Sequence, residues 1–201
     1  MMARRLLLDG FDLEDSKDSK SASIQARILL SGLAAQQGLH CPPALWSPRG
    51  QGVPCHPNLP VEWHASLSHK RGRVIVGLSR TRFGLDLEYA NTRHGSKLEA
   101  LVGMLPESEI RTHIQQNDCP QSSFYQVWTL YESLFKLSGH TATPAESLLA
   151  VRLKSMEELN LNYRVWQDTA WTLGLVSEED LQPCPSPGAL FPGLKPVDIS
   201  I

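Results

Sequence analysis

The segment SFYQVWTLYESLFKLS, residues 123–138, carries the strongest helical pattern in the chain. Its apolar residues recur with the 3.6-residue period of an α-helix, and Gly139 follows as a suitable residue for ending it. The pattern therefore predicts a long amphipathic helix with Trp128 buried in the core. The apolar positions are Phe124, Val127, Trp128, Tyr131, Leu134 and Phe135.

Short strand patterns lie on both sides of this helix. The clearest is FGLDLEY, residues 83–89, whose apolar residues share one face while Gly84, Asp86 and Glu88 share the other. The order of helix, hairpins, helices and strands indicates an α+β fold. Further helices are predicted over 21–37 and 105–117, further strands over 61–68, 73–79, 148–153, 162–167 and 170–177, and a proline-rich loop and tail over 41–60 and 182–201.

Composition and charge exclude several classes of protein. The chain has 201 residues and a net charge of −2, which argues against a generally basic nucleic-acid binder. It lacks an apolar run of the roughly 18 to 20 residues that a bilayer span needs, and MMARRLLLDG does not match a signal peptide. The four cysteines are widely scattered and suggest neither a zinc site nor a disulfide framework. We expect a cytoplasmic protein.

Three groups of residues are candidates for chemistry. Asp86 and Glu88, two apart on a strand, project to the same side about 7 Å apart and can converge on one hard cation. Taken alone, such a pair more often lies on the solvent-facing side of an antiparallel strand. Glu132 and Lys136 lie at the border of the buried helix face, where such a pair is ordinarily structural. His69, next to a strand, fits a polar turn equally well.

Together these residues resemble the 4′-phosphopantetheinyl transferases of the surfactin-synthetase-activating type. The family patterns are a Ser-His after a strand, G-[VI]-D-[IVL]-E, and W-x-x-K-E-[AS]-x-x-K. This chain has S-L-S-H at 66–69, F-G-L-D-L-E at 83–88 and W-T-L-Y-E-S-L-F-K at 128–136, in the same order. Weaker similarity extends from the first helix to about residue 177.

The resemblance implies a role for each matching residue. Asp86, Glu88 and Glu132 would hold Mg²⁺, and Lys136 would offset charge on the departing group. Glu132 through a bound water, or Glu109, would act as the general base. The residues implied in coenzyme A binding are His69, Ser68, Arg49 and Arg27.

The implied reaction transfers 4′-phosphopantetheine from coenzyme A to a serine of an apo acyl or peptidyl carrier protein, and adenosine 3′,5′-bisphosphate leaves. The implied fold has two similar lobes, each a small mainly antiparallel sheet with packed helices, and the active site lies in the cleft between them. The expected division is an N-terminal lobe over 1–95, a C-terminal lobe over 96–181 and a tail over 182–201. We expect a monomer without a nucleic-acid or membrane partner.

The chain departs from the family pattern at two positions, Tyr131 and Val53, where lysine and a lysine or arginine are usual. Two other functions therefore stay open, a non-catalytic carrier- or nucleotide-binding module of the same fold and a different metal-dependent phosphohydrolase. An excess of arginine around the first strands, which includes Arg71 and Arg73, is a candidate docking surface for an acidic carrier. A scattered solvated face is its alternative interpretation.

Overall fold

The computed structural model describes residues 4–13, 19–90 and 97–199, and its class is α+β, as the sequence predicts. Across these ranges no helix has the length and hydropathy needed to span a membrane. The described elements are β1 (Arg4–Asp12), α1 (Ser19–Gln36), β2 (His64–Lys70), β3 (Arg73–Ser79), β4 (Phe83–Tyr89), α2 (Leu98–Gly103), α3 (Ser108–Gln116), α4 (Pro120–Ser138), α5 (Lys154–Glu158), β5 (Asn162–Gln167), β6 (Trp171–Ser177), β7 (Leu181–Cys184), α6 (Pro187–Leu190) and β8 (Lys195–Val197).

The strands form two four-stranded sheets, with the orders β2-β3-β1-β7 and β4-β6-β5-β8. All the pairings are antiparallel except that between β1 and β7. One apolar core lies between the two sheets, a second under α1, and a third under α4. The sheets are therefore stacked in the middle, with the two longest helices on their outer faces.

The central helix α4 lies unusually close to the second sheet because two glycines face it. A Cβ atom on Gly84 would stand 1.9 Å from the carbonyl oxygen of Ser133, and one on Gly174 would stand 2.8 Å from that of Thr129. Ser133 and Thr129 are one helical turn apart and fully buried. The two glycines therefore fix the height of the helix above β4 and β6, because any side chain there would push it away.

Hydroxyl groups also join the two sheets where β2 lies against β4. Ser66 Oγ accepts the backbone N–H of Leu85, and Ser68 Oγ accepts that of Leu87, each at 3.1 Å. The S-x-S spacing on β2 places both hydroxyls on one face, opposite the backbone of β4. This contact sets the register between Ser68 and its neighbour Asp86.

Two expectations for secondary structure are wrong, and one strand was not predicted. The opening segment forms β1, whose Leu6 and Leu8 are buried between the sheets. No strand forms over residues 148–153, because their apolar side chains enter the core from a 3₁₀ turn and irregular chain instead of pairing. The proline-rich end is not a tail, since β7 and β8 pair at the sheet edges, where proline is tolerated.

The division into lobes at about residues 90–100 stays a prediction, and residues 91–96 lie outside the described ranges. Each sheet contains strands from both sides of this predicted division. Strand β4, from the predicted N-terminal lobe, pairs with β6, whereas β7, from the predicted tail, pairs with β1.

Arg73 is a structural cation and not part of an open docking surface. Its guanidinium lies 4.2 Å from the ring centre of Trp171 and 4.6 Å from that of Phe191, and it pairs with Asp12 at 2.8 Å. Only 13% of its side chain is exposed. Arg71 similarly lies over the ring of Tyr89. Arg73 therefore holds strands together, whereas Arg71 stays exposed, and the carrier-docking surface stays a prediction.

Replacing Gly84 by alanine should destabilise the protein by about 3 kcal/mol or more, because the added methyl group would collide with the backbone of α4. Gly32 in α1 is the matched control, since a Cβ atom there would have no heavy atom within 4 Å beyond its chain neighbours and the backbone of its own helix. Gly32→Ala should stabilise the helix by about 0.5 to 1 kcal/mol. Urea unfolding followed by circular dichroism measures both, and equal stability of Gly84→Ala and the unchanged protein would contradict the close contact.

The second prediction concerns His140, which stacks edge-on against His64 with ring centres 5.2 Å apart. Burial, and next the charge of His64, lower the pKa of His140 to about 4. Because its pKa in the unfolded chain is higher, near 6.5, this group favours folding above pH 6.5, and that stability is lost as the pH falls toward 4. The loss should be about 3 kcal/mol.

The unfolding free energy of His140→Gln should therefore fall less between pH 7 and pH 4 than that of the unchanged protein. His40, which is exposed, provides the control substitution His40→Gln. Parallel pH profiles for all three proteins would show that His140 is not buried in its neutral form.

Candidate active site

A cavity of about 630 Å³ opens between α1, the long loop before β2, the end of β2 and the last turns of α4. The loop was predicted from its proline and glycine content, and within it only Pro43–Leu45 forms a short 3₁₀ helix. Residues 47–50 and 52–54 of this loop line the cavity, together with Arg27, the 66–69 segment, Glu132 and Lys136. The first and third motifs of the sequence analysis therefore meet in one place.

The second motif lies beneath them. Asp86 is only 4% exposed, and its Oδ1 accepts hydrogen bonds from Ser68 Oγ at 3.0 Å and Lys136 Nζ at 2.8 Å. Lys136 also donates to the carbonyl oxygen of Leu85 at 2.9 Å. Within the described ranges Asp86 Oδ2 is buried without a hydrogen-bond partner. A buried carboxylate oxygen left in this way is ready to bind a further donor or a cation.

Glu88 and Glu132 complete what we call the carboxylate cluster, which consists of these two residues and Asp86. Burial, and next the charge of Asp86, raise the pKa of Glu88. Burial and the charges of Asp86 and Glu88 raise the pKa of Glu132 to about 7, although Lys136 acts in the opposite direction. The three carboxylates therefore repel one another at neutral pH, and a positive charge placed between them would be stabilised.

Oxygen ligands of this kind suit a hard divalent cation such as Mg²⁺. In their present positions, no three His, Cys, Asp or Glu side chains within 4–13, 19–90 and 97–199 form a group that could hold a metal ion. Instead, Lys136 pairs with Asp86, and Lys70 pairs with Glu88 at 2.7 Å. The donor chemistry and the unpartnered Asp86 Oδ2 fit the cation, and binding would require the side chains to turn toward it.

The part of the cavity around His69 is electropositive. His69 lies at the end of β2, and burial together with the charges of Arg49, Lys136 and Arg27 lowers its pKa. Its imidazole is therefore neutral at pH 7 and can donate one hydrogen bond to an anion. The cavity thus attracts cations at the carboxylate cluster and anions beside His69.

Arg27 and Ser68 line the cavity as predicted, but both are also engaged within the protein. The Arg27 guanidinium donates to the carbonyl oxygen of Ser47 through Nε and Nη2, and to the carbonyl and hydroxyl oxygens of Ser23 through Nη1. It fastens the long loop to α1. Ser68 orients Asp86, and direct contact of either residue with a coenzyme stays a prediction.

Glu109 does not line the cavity. It lies in the first turn of α3, where Ile110 and Ile114 face the core and the Glu109 carboxylate is left exposed beside the Ser108 hydroxyl. Glu109 is therefore not at the cavity, as Glu132 is, and its role as a base stays a prediction without a supporting contact.

The two departures from the family pattern lie in different surroundings. Tyr131 is 1% exposed, and its hydroxyl donates to Glu107, which also accepts the backbone N–H groups of Leu153 and Lys154. The ring is buried as expected, but the hydroxyl is directed toward Glu107 and not toward the cavity. Val53 lines the cavity and packs against Gly139 at the end of α4.

Sequence reasoning missed two contacts of residues in the motifs, that of Lys70 with Glu88 and that of Glu107 with Tyr131. Lys70 could have been found from its spacing, since it follows Ser68 by two residues just as Glu88 follows Asp86. Glu107 precedes α3 and lies far in sequence from both Tyr131 and Leu153. No local pattern indicates such a contact.

Neither a scan of protein-family models nor a search of curated proteins finds a match to this chain.

Substituting Glu132 should reveal the electrostatic strain of the cluster. The pKa of Glu132 is about 7, above its value in the unfolded chain. The protonated side chain therefore contributes to the stability of the folded protein, and this contribution is complete below pH 4.5 and is lost as the pH rises through 7. In the presence of a chelator, Glu132→Gln should therefore be more stable than the unchanged protein at pH 8, by about 1 to 2 kcal/mol after allowance for solvent screening.

The two proteins should have similar stability at pH 4. The control is Glu109→Gln, which changes an exposed carboxylate whose pKa is lowered by hydrogen bonds to its own backbone N–H and to Ser108, so that this variant should be slightly less stable at pH 8 and never more stable. A Glu132→Gln variant less stable than the unchanged protein at pH 8 would show that the carboxylate is not strained.

Proposed function

We propose that this protein is a magnesium-dependent 4′-phosphopantetheinyl transferase, which loads an apo acyl or peptidyl carrier protein from coenzyme A. The observation that carries the proposal is the meeting of two charged regions, the anion-attracting part of the cavity beside His69 and the cation-attracting carboxylate cluster, of which Glu132 lines the cavity. A divalent cation bound to a pyrophosphate has this same pairing of charges. The motif resemblance supplies the identity of the substrate.

The proposed role of each residue follows from where its side chain lies. Asp86, Glu88 and Glu132 would hold the magnesium ion, with the unpartnered Asp86 Oδ2 as one ligand atom. When bound, Mg²⁺ would neutralise charge on the pyrophosphate oxygens. Arg49 and the neutral His69 would bind phosphate oxygens on the other side of the cavity.

The reaction forms a bond between the carrier serine oxygen and the phosphorus attached to pantetheine. The bond from that phosphorus to the leaving adenosine 3′,5′-bisphosphate breaks, and the serine proton goes to a base. Of the two candidates, Glu132 lines the cavity and Glu109 does not. We therefore assign Glu132, acting through a water, as the base, and Lys136 as the cation that offsets charge on the leaving group.

We propose that the space lined by α1, the long loop and the end of α4 serves as the cleft between two lobes. Strand β2 from the first sheet and α4, which packs on the second sheet, both supply residues that line the cavity. The departure at Tyr131 is compatible with catalysis, because the ring stabilises the core and Lys136 remains at the cavity.

Purified protein incubated with coenzyme A, Mg²⁺ and several apo carrier proteins should add a phosphopantetheine group to a carrier serine, seen as a mass shift. Asp86→Asn, Glu88→Gln and Glu132→Gln should each lower the rate by about 100-fold or more, because each removes one charged ligand without changing the side-chain volume. Glu109→Gln is the control and should keep most of the activity.

The outcomes separate the alternatives. Coenzyme A binding without transfer to any carrier would indicate a non-catalytic module. Phosphate or phosphopantetheine released without an acceptor would indicate a phosphohydrolase. Loss of activity in Glu109→Gln but not in Glu132→Gln would overturn the assignment of the base.

A further inference from the structure

Lys70 holds both oxygens of a carboxylate in the cluster. Its ammonium nitrogen lies 3.0 Å from Glu88 Oε1 and 2.7 Å from Glu88 Oε2. The Lys70 side chain is 44% exposed, whereas that of Glu88 is 12% exposed. The charge of a largely buried carboxylate is therefore balanced by a cation that reaches it from the solvent side.

The register between the sheets places Lys70 there. Ser68 faces Asp86 and Lys70 faces Glu88, so that successive partners on one face of β2 and β4 are each 18 residues apart in sequence. Since the hydrogen bonds from Ser66 and Ser68 to β4 fix this register, Lys70 is directed at Glu88 by the fold itself.

Lys70 and Lys136 differ in how firmly they are held. Lys136 donates both to Asp86 and to the backbone carbonyl of Leu85, and its side chain is 24% exposed. Lys70 bonds to Glu88 alone among the described side chains and is more exposed. Its long side chain can swing into solvent without breaking a backbone contact.

We propose that Lys70 is a built-in competitor of the divalent cation for Glu88, and that it sets how tightly the carboxylate cluster binds that cation. The inference rests on the proposed function only in requiring that the cluster binds a divalent cation. A cation that takes Glu88 as a ligand must compete with the ammonium group, which contacts both carboxylate oxygen atoms. The protein then keeps its buried carboxylates balanced without metal, at the cost of weaker metal binding.

The size of the effect follows from the strength of the ion pair. Exposed pairs change equilibria by a few-fold, and one largely buried partner increases the effect. Removing the Lys70 charge should therefore tighten cation binding about three- to tenfold.

The test measures Mn²⁺ binding to the metal-free, coenzyme-free protein by electron paramagnetic resonance, in the unchanged protein and in Lys70→Met and Lys70→Gln. Two charge-removing variants are used so that the result does not depend on one of them folding well. Lys195→Met, which removes an exposed lysine of β8 far along the chain from the cluster, is the control for net charge. The double variant Lys70→Met with Asp86→Asn tests whether the tighter binding of Mn²⁺ depends on the carboxylate cluster.

Both Lys70 variants should bind Mn²⁺ about three- to tenfold more tightly than the unchanged protein, Lys195→Met should bind as the unchanged protein does, and the double variant should lose the gain. Equal or weaker binding by the Lys70 variants, while the unchanged protein binds Mn²⁺, would overturn the inference and leave the proposed function standing. A gain that survives Asp86→Asn would also overturn it. If no protein binds Mn²⁺ at millimolar concentration, the proposed metal site itself fails.

Discussion

The contact between α4 and the backbone of the second sheet is the constraint on which the site depends. Because Gly84 and Gly174 lack side chains, the carbonyl groups of Ser133 and Thr129 can lie directly on the strands. Lys136, one turn beyond Glu132, then reaches Leu85 and Asp86. Raising the helix by the thickness of a methyl group would break both of those hydrogen bonds. The same two glycines thus serve the core and the site.

The charges at this contact explain why the site is strained in the absence of a ligand. Three carboxylates lie together at the end of a buried strand, and mutual repulsion and burial raise the pKa values of Glu88 and Glu132. Two lysines, Lys70 and Lys136, partly balance them. Such an arrangement reduces stability, and under the proposed function it would favour the binding of a cation, a trade-off that is common where binding and folding compete.

Much of this could be predicted from sequence, because the patterns concerned are local. The helix over 123–138, the strand over 83–89 and the nearby hairpin strands have strong periodicity, and the structure contains each of them. Asp86 and Glu132 were expected together only because of the motif resemblance. Their proximity depends on the pairing of β4 and on the glycine contacts, which no single segment reveals.

The parts that sequence did not predict depend on tertiary contacts. Strands β1, β7 and β8 gain their structure from pairing with distant strands, so their own short or proline-containing segments carry little signal. The wrong strand over 148–153 shows the reverse case, in which apolar residues serve the core without forming a strand. The hydrogen bond of the Tyr131 hydroxyl and the packing of Arg73 on Trp171 likewise depend on partners far along the chain.

The most direct test of this account is the anomalous scattering from crystals grown with Mn²⁺ and coenzyme A. The account predicts one strong peak in contact with the carboxylates of Asp86 and Glu132, with phosphate density between that peak and His69. A peak elsewhere on the protein, or a nucleotide bound outside the cavity beside α1, would contradict the account.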